Sequence, residues 1–233
     1  MSGSATMYLK ISIMVAAAAA ATTSAAASKL NNNRIMEDEL TKILQEALAP
    51  NDPYFLPYTT TCYYTNSTSS IELNATNPIM SGFEDIVVTN FDPPIPLFSK
   101  QVSLTTVVSN LTLSTTNYSM VAVCNYTNEI HQAHGAAYLA FSNLKVVQKF
   151  KADEYSKDPV RICVKCGTLT IDISYDSVEG NFEDGGLMNS MISIFGEILK
   201  DMVLDKLAEN QYVLEDSLND ALCNSQEYIG CQS

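Results

Sequence analysis

The stretch from Leu187 to Leu207 carries more apolar surface than a helix lying on one side of a protein can bury. Leu187, Met191, Ile194, Phe195, Ile198, Leu199, Met202, Val203 and Leu207 recur at the helical period, and Met188, Ile192 and Leu204 widen the stripe. Glu197, Lys200, Asp201, Asp205 and Lys206 interrupt it, which excludes a membrane span. Such a helix needs a partner that wraps around it, and a curved sheet supplies one. The helical pattern runs from Leu187 to Cys223 with a break expected near Asn210, and the part up to Glu209 would be roughly 35 Å long. Glu179, Glu183 and Asp184 precede it, where the positive end of the helix dipole favours acids.

The sheet is read from the middle of the chain. Between Phe83 and Val178, short alternating runs rich in Val, Ile, Thr, Tyr and Phe are broken by Pro93, Pro94, Pro96 and Gly135. Val102, Leu104 and Val108 share a face, as do Met120, Ala122 and Cys124. The apolar alternation changes phase near Asn143 and again at Gly167, and each change predicts a bend or bulge of a strongly coiled sheet. No helix-length crossover separates the runs, so the order is antiparallel. A first amphipathic helix is predicted from Arg34 to Ala49, with Met36, Leu40, Ile43, Leu44, Ala47 and Leu48 on one stripe and Glu37, Asp38 and Glu39 near its start; Pro50 ends it. The fold class is therefore α+β: a strongly curved antiparallel sheet wrapped around a long C-terminal helix, with an N-terminal amphipathic helix.

Residues 1–27 read as a secretory signal peptide: Lys10, an apolar run from Ile11 to Ala21, and Ala25-Ala26-Ala27 as the cleavage site. The run is shorter than the ~20 residues of a spanning helix. Residues 28–233 then form one domain, secreted and extracellular. Five N-x-S/T sequons, at Asn66, Asn74, Asn110, Asn117 and Asn125, agree with that route and are the glycosylation candidates. Six cysteines in an oxidising compartment imply three disulfides, for which 15 pairings exist. If one strand carries Val160, Ile162, Val164 and Cys166 inward, Cys163 faces outward. That orientation suggests Cys166 with Cys223, leaving Cys163 for Cys231 and Cys62 for Cys124. The domain bears 12 basic against 26 acidic residues, a surface that repels phosphate backbones and anionic headgroups. Nucleic-acid binding and stable membrane anchoring are excluded on that ground.

Nothing in the chain points to an enzyme, a metal or a cofactor. His131 and His134 form an H-x-x-H without further ligands, and no G-x-S-x-G elbow occurs. The Cys163-x-x-Cys166 pair lacks both the βαβ setting of a redox motif and the second pair of a zinc site. Asp153-Glu154 and Glu183-Asp184 read as solvated turns.

Three strings carry a family resemblance: Ala140-Phe-Ser-Asn-Leu-Lys-Val146, Cys166-Gly-Thr-Leu-Thr-Ile-Asp-Ile-Ser174, and Val178-Glu-Gly-Asn-Phe-Glu-Asp184 running into the helical region and on to Tyr212–Cys223. In order and pattern the chain resembles the tubular lipid-binding (TULIP) superfamily: insect juvenile-hormone-binding and takeout-like proteins, mite allergens of the same fold, and bactericidal/permeability-increasing type modules. The resemblance implies an apolar tunnel between sheet and helix that holds one lipophilic ligand, such as a fatty acid or terpenoid. A disulfide ties strand to helix in that family, a role for Cys166 with Cys223. The ligand contacts it implies here are Met191, Phe195, Ile198 and Met202 on the helix and Phe141, Leu169, Ile171 and Ile173 on strands. The sequon density and the additional cysteines depart from the family pattern. The contrasting expectation is a disulfide-stapled extracellular glycoprotein with a solid interior that acts through surface contacts with another protein.

Overall fold

The computed structural model describes residues 33–55, 60–65, 69–93, 100–124, 126–157, 160–222 and 231. Residues 1–27, expected to be a signal peptide, and Asn66, Asn125 and Cys223 lie outside these. In chain order the elements are helix α1 (Asn33–Leu48), strands β1 (Tyr54–Phe55), β2 (Thr60–Thr65), β3 (Ser69–Thr76), β4 (Ile79–Ser81), β5 (Ile86–Asp92), β6 (Gln101–Cys124), β7 (Ile130–Lys157), β8 (Val160–Val164), β9 (Thr170–Ser174) and β10 (Ser177–Phe182), then helices α2 (Ile192–Glu209) and α3 (Gln211–Leu222).

β6 and β7 form the frame. They pair antiparallel along nearly their full lengths, 24 and 28 residues, a contour of about 80 Å or more at the usual strand rise. Shorter strands lie end to end along both flanks. Beside β6 run β5, β4 and β3, with β2 outside β3 and β1 outside β4; beside β7 run β8, β9 and β10. Every pairing is antiparallel, as the absence of crossovers requires.

Strands this long stay packed on one core only if they bend, and the bends fall where the apolar pattern changes phase. β6 buries Val102, Leu104 and Val108, then Leu111; β7 buries Leu139 and Phe141, then Phe150 and Ala152. The two changes lie side by side, because Val108 pairs with Leu144 and Asn110 with Ser142. Asn143 between them has φ +52°, and no register is lost. The expected irregularity at Asn143 is therefore a bend shared by two strands, and its side chain donates to Asp176 Oδ2 at 2.7 Å. A bulge follows further along, where two residues of β6 between Thr115 and Tyr118 face one of β7. Gly135, expected to break a strand, instead lies inside β7 beside that bulge with φ +126°.

At Gly167 the change of phase is larger than a single-residue bulge. β8 and β9 follow one another along β7, and residues 165–169 face only residues 150–151. The surplus forms a turn with Gly167 at φ +72°. This overturns the assumed side-chain directions: the chain leaves the strand at Lys165, so Cys163 is buried and Cys166 is exposed. Cys166 is bonded to Cys231, with Cα atoms 5.4 Å apart, which replaces both the Cys166–Cys223 and the Cys163–Cys231 pairings. Cys163 is disulfide-bonded as well, to a side chain outside the described ones. Cys62 lies opposite Leu73, whereas Cys124 lies opposite Ser69, with β3 between them. Their Cα atoms thus exceed the ~7 Å reach of a disulfide, and this pairing too is withdrawn.

The C-terminal helical region divides at Asn210, as expected, but α2 begins later than Leu187. Residues Gly186–Met191 form a 3₁₀ segment, which leaves α2 with 18 residues, about 27 Å. Glu183 and Asp184 therefore sit in the turn before that segment and not at the helix N-terminus, and Glu179 belongs to β10. α2 packs mainly on β10, β9 and β7 and buries Ile192, Phe195, Ile198 and Leu207. It approaches closely at Gly196, where a Cβ would stand 2.8 Å from Val178 Cγ1 and 2.9 Å from Tyr175 Oη. Among the described residues the sheet leaves part of α2 uncovered: Ile194 is 47% exposed, and Met202, Val203 and Leu204 are half-buried.

Candidate functional site

The inward face of β7, β9 and β10 under α2 brings the predicted ligand residues into one apolar cluster. Phe141, Leu169, Phe195 and Ile198 are buried in it, while Ile171, Ile173, Met191 and Met202 pack against it half-buried. Register explains the strand half. Phe141 pairs with Val178, Val146 with Ile173 and Gln148 with Ile171, so these side chains share a face. Aromatic edges fix the layer: Phe141 meets Tyr175 at 5.2 Å, and Phe182 contacts both Tyr118 and Phe195 at 5.2 Å.

Two polar helix stripes hold the ends of the sheet in place, and neither was anticipated. On α3, Gln211, Glu215 and Asn219 follow at four-residue spacing and face the turn after β8. The fully buried Glu215 carboxylate accepts the N–H groups of Gly167, Thr168 and Leu169 at 2.8–2.9 Å. Asn219 accepts from Val164 N–H and donates to Val164 O, and Gln211 donates to Leu169 O. The Cys231 N–H donates to Asp216 Oδ1, which adds the C-terminal segment to the same node. On α1 the corresponding stripe is Glu37, Thr41 and Gln45. Phe91 N–H donates to Glu37, Val88 N–H donates to Thr41, and Gln45 donates to Ile86 O. Glu37, read from sequence as a helix-dipole partner, thus satisfies the edge of β5. The signal was present in both helices as a four-residue polar repeat, but that repeat also describes any solvated helix face.

At the outer side of α2 a small polar chain borders the apolar cluster. Tyr175 Oη donates to Glu197 Oε1 at 2.6 Å, Lys200 pairs with Glu197, and the Lys200 Nζ stands 5.9 Å from the Tyr175 ring centroid. Burial, followed by the bond to Glu197, pushes the Tyr175 phenol well above its ordinary range. The hydrogen bonds from Lys200 and Tyr175 hold the Glu197 carboxyl below its usual value, and the bond to Glu197 raises Lys200.

His131 and His134 are both exposed on β7, three residues apart and so on opposite sides of the strand. Among the described residues no group of three or more His, Cys, Asp or Glu could hold a metal ion. Among the described residues no helix is long and apolar enough to cross a membrane. Of the sequons, Asn110 and Asn117 are exposed on β6, opposite in direction to the buried Leu111 and Tyr118, and Asn74 is half-buried and donates to Glu72.

No protein family and no curated protein matches the chain by sequence. Among solved structures it is similar to Takeout 1 of Epiphyas postvittana, at 13% identity and a TM-score of 0.43, over 79% of this chain and 87% of that one. It is also similar to a lipopolysaccharide binding protein, at 10% identity and a TM-score of 0.37, over 76% of this chain and 39% of the other's length.

Proposed function

We propose that this protein is a secreted, glycosylated carrier or sequestering protein for a lipophilic small molecule, which lies on the inward apolar face between α2 and strands β7 and β9. One observation carries the reading: Ile171, Ile173, Met191 and Met202 pack against the apolar cluster and are each only half-buried. Apolar area removed from water contributes about 25 cal/mol per Å², so a hydrocarbon chain seated there gains affinity with few polar contacts. Methionine side chains adapt to ligands of varied shape. The family resemblance of the sequence points to the same use. Phe195, 3% exposed on α2 and packed against Phe182, belongs to the core and supports the site from behind.

The test is displacement of the neutral dye N-phenyl-naphthylamine, combined with native mass spectrometry of the deglycosylated protein. The expected result is saturable dye binding and a co-purifying lipid. Met202→Trp should weaken dye binding several-fold while leaving the melting temperature within a few degrees. A protein that takes up no dye and carries no lipid would instead act through its surface, with a solid interior.

A further inference from the structure

Two buried polar side chains interrupt the inward face beside the proposed lipid path, and no group among the described residues pairs with them. Gln148 alternates with Val146 and Phe150 on β7 and is 5% exposed; Thr106 on β6 is 7% exposed. Thr106 pairs with Val146 and Gln148 with Leu104, which makes them a diagonal cross-strand pair about 7–8 Å apart, within reach of a glutamine side chain. Neither side chain has a hydrogen-bond partner among the described residues. Yet among those residues no side-chain nitrogen or oxygen is both sealed from solvent and unpartnered. The polar atoms of Gln148 and Thr106 therefore remain within reach of a molecule the size of water, while the rest of each residue is packed. An unpaired amide on an apolar face costs free energy unless something pairs with it.

The geometry points to Gln148 and Thr106 as the polar anchor for the head of the bound lipid, an assignment that rests on the carrier reading above. The chemistry selects the ligand class. An amide and a hydroxyl both donate and accept but carry no charge, so they suit a neutral oxygen function such as an alcohol, ketone or ester. Lys145, Lys149 and Lys151 on β7 alternate to the opposite, exposed side, and Lys200 is engaged by Glu197, so none of these cations meets a carboxylate head at this position. A fatty-acid anion would shed its hydration with only neutral donors, and no cation, to compensate. The occupant is thus a neutral lipid with one oxygenated end, not a free fatty acid.

The experiment compares cetyl alcohol, methyl palmitate and palmitate as displacers of N-phenyl-naphthylamine at neutral pH, in the wild type and in Gln148→Leu and Thr106→Val. The wild type is expected to bind the alcohol and the ester at least on the order of tenfold more tightly than palmitate. In Gln148→Leu the ratio of alcohol affinity to dye affinity should fall by about tenfold, and in Thr106→Val by a few-fold. The melting temperature should hold or rise in Gln148→Leu, because an amide without a partner among the described residues is being replaced by a hydrocarbon of similar size. Palmitate binding more tightly than the alcohol, an unchanged ratio in both variants, or a lowered melting temperature in Gln148→Leu would each overturn the assignment. A wild type that binds the dye but fails these comparisons leaves the carrier reading standing. One that binds neither the dye nor any of the three lipids removes both.

Discussion

At the residue scale the molecule depends on a few side chains that replace missing backbone partners. Glu215 is the clearest, since one carboxylate accepts three N–H groups from a turn that no strand can serve. Glu215→Ala would leave those donors without their acceptor, the Leu169 N–H in a buried position, and it is expected to lower unfolding stability by about 1–3 kcal/mol, measured by urea denaturation. Glu215→Gln keeps an acceptor and should cost less. Tyr175 offers a second measurement. Its phenol is raised by burial and by Glu197, so it stays protonated while ordinary tyrosines ionise near 10. The sign follows: its contribution to stability is complete below that range and is lost as the pH climbs toward the higher folded value. In an ultraviolet titration, Tyr175→Phe should shrink the late-ionising phase, to which Tyr118, raised by burial, also contributes, and leave the main one unchanged. Glu197, held low by Lys200 and Tyr175, acts in the opposite sense: its contribution is present at neutral pH and is lost as the pH falls below the ordinary carboxylate range.

At the scale of elements, each helix does a distinct job. α1 and α3 cover strand edges with polar stripes, which also blocks the unpaired backbone from recruiting a second chain. Replacing Glu37, Thr41 and Gln45 together by Ala should expose the β5 edge and produce concentration-dependent self-association in size-exclusion chromatography. α2 instead fills the inward face, and its seat at Gly196 is narrow. Gly196→Val should push it away from Val178 and Tyr175 and cost about 1–3 kcal/mol, read from the shift in the denaturation midpoint. How much of this was legible differs by element. The changes of phase at Asn143 and Gly167 were readable because a period of two leaves no freedom: once the apolar residues move from even to odd, the backbone must bend or gain residues. The cysteine directions were not readable, because a turn with three surplus residues reverses every assignment made by alternation. The break at Asn210 was visible, whereas the later start of α2 was not, since a 3₁₀ segment of six residues is too short for the apolar period to tell it from the first turns of an α-helix. Gln148 and Thr106 were passed over because single polar residues within a strand are ordinarily solvated.

At the scale of the whole molecule, the β6–β7 frame differs from one end to the other. Where β6 begins and β7 ends, the flanking strands β5, β8 and β9 are bound by α1 and α3 and by the Cys166–Cys231 link. Where β6 ends and β7 begins, residues 130–135 pair with β6 alone among the described residues, and Ile130 is 62% exposed. A fabric hemmed at one border and raw at the other unravels from the raw one. In hydrogen exchange the amides of residues 130–135 should be the first of the frame to label and those of residues 144–151 the last, and a protease given limited time should cut near the Tyr126–Ile130 tip before any other part of the frame.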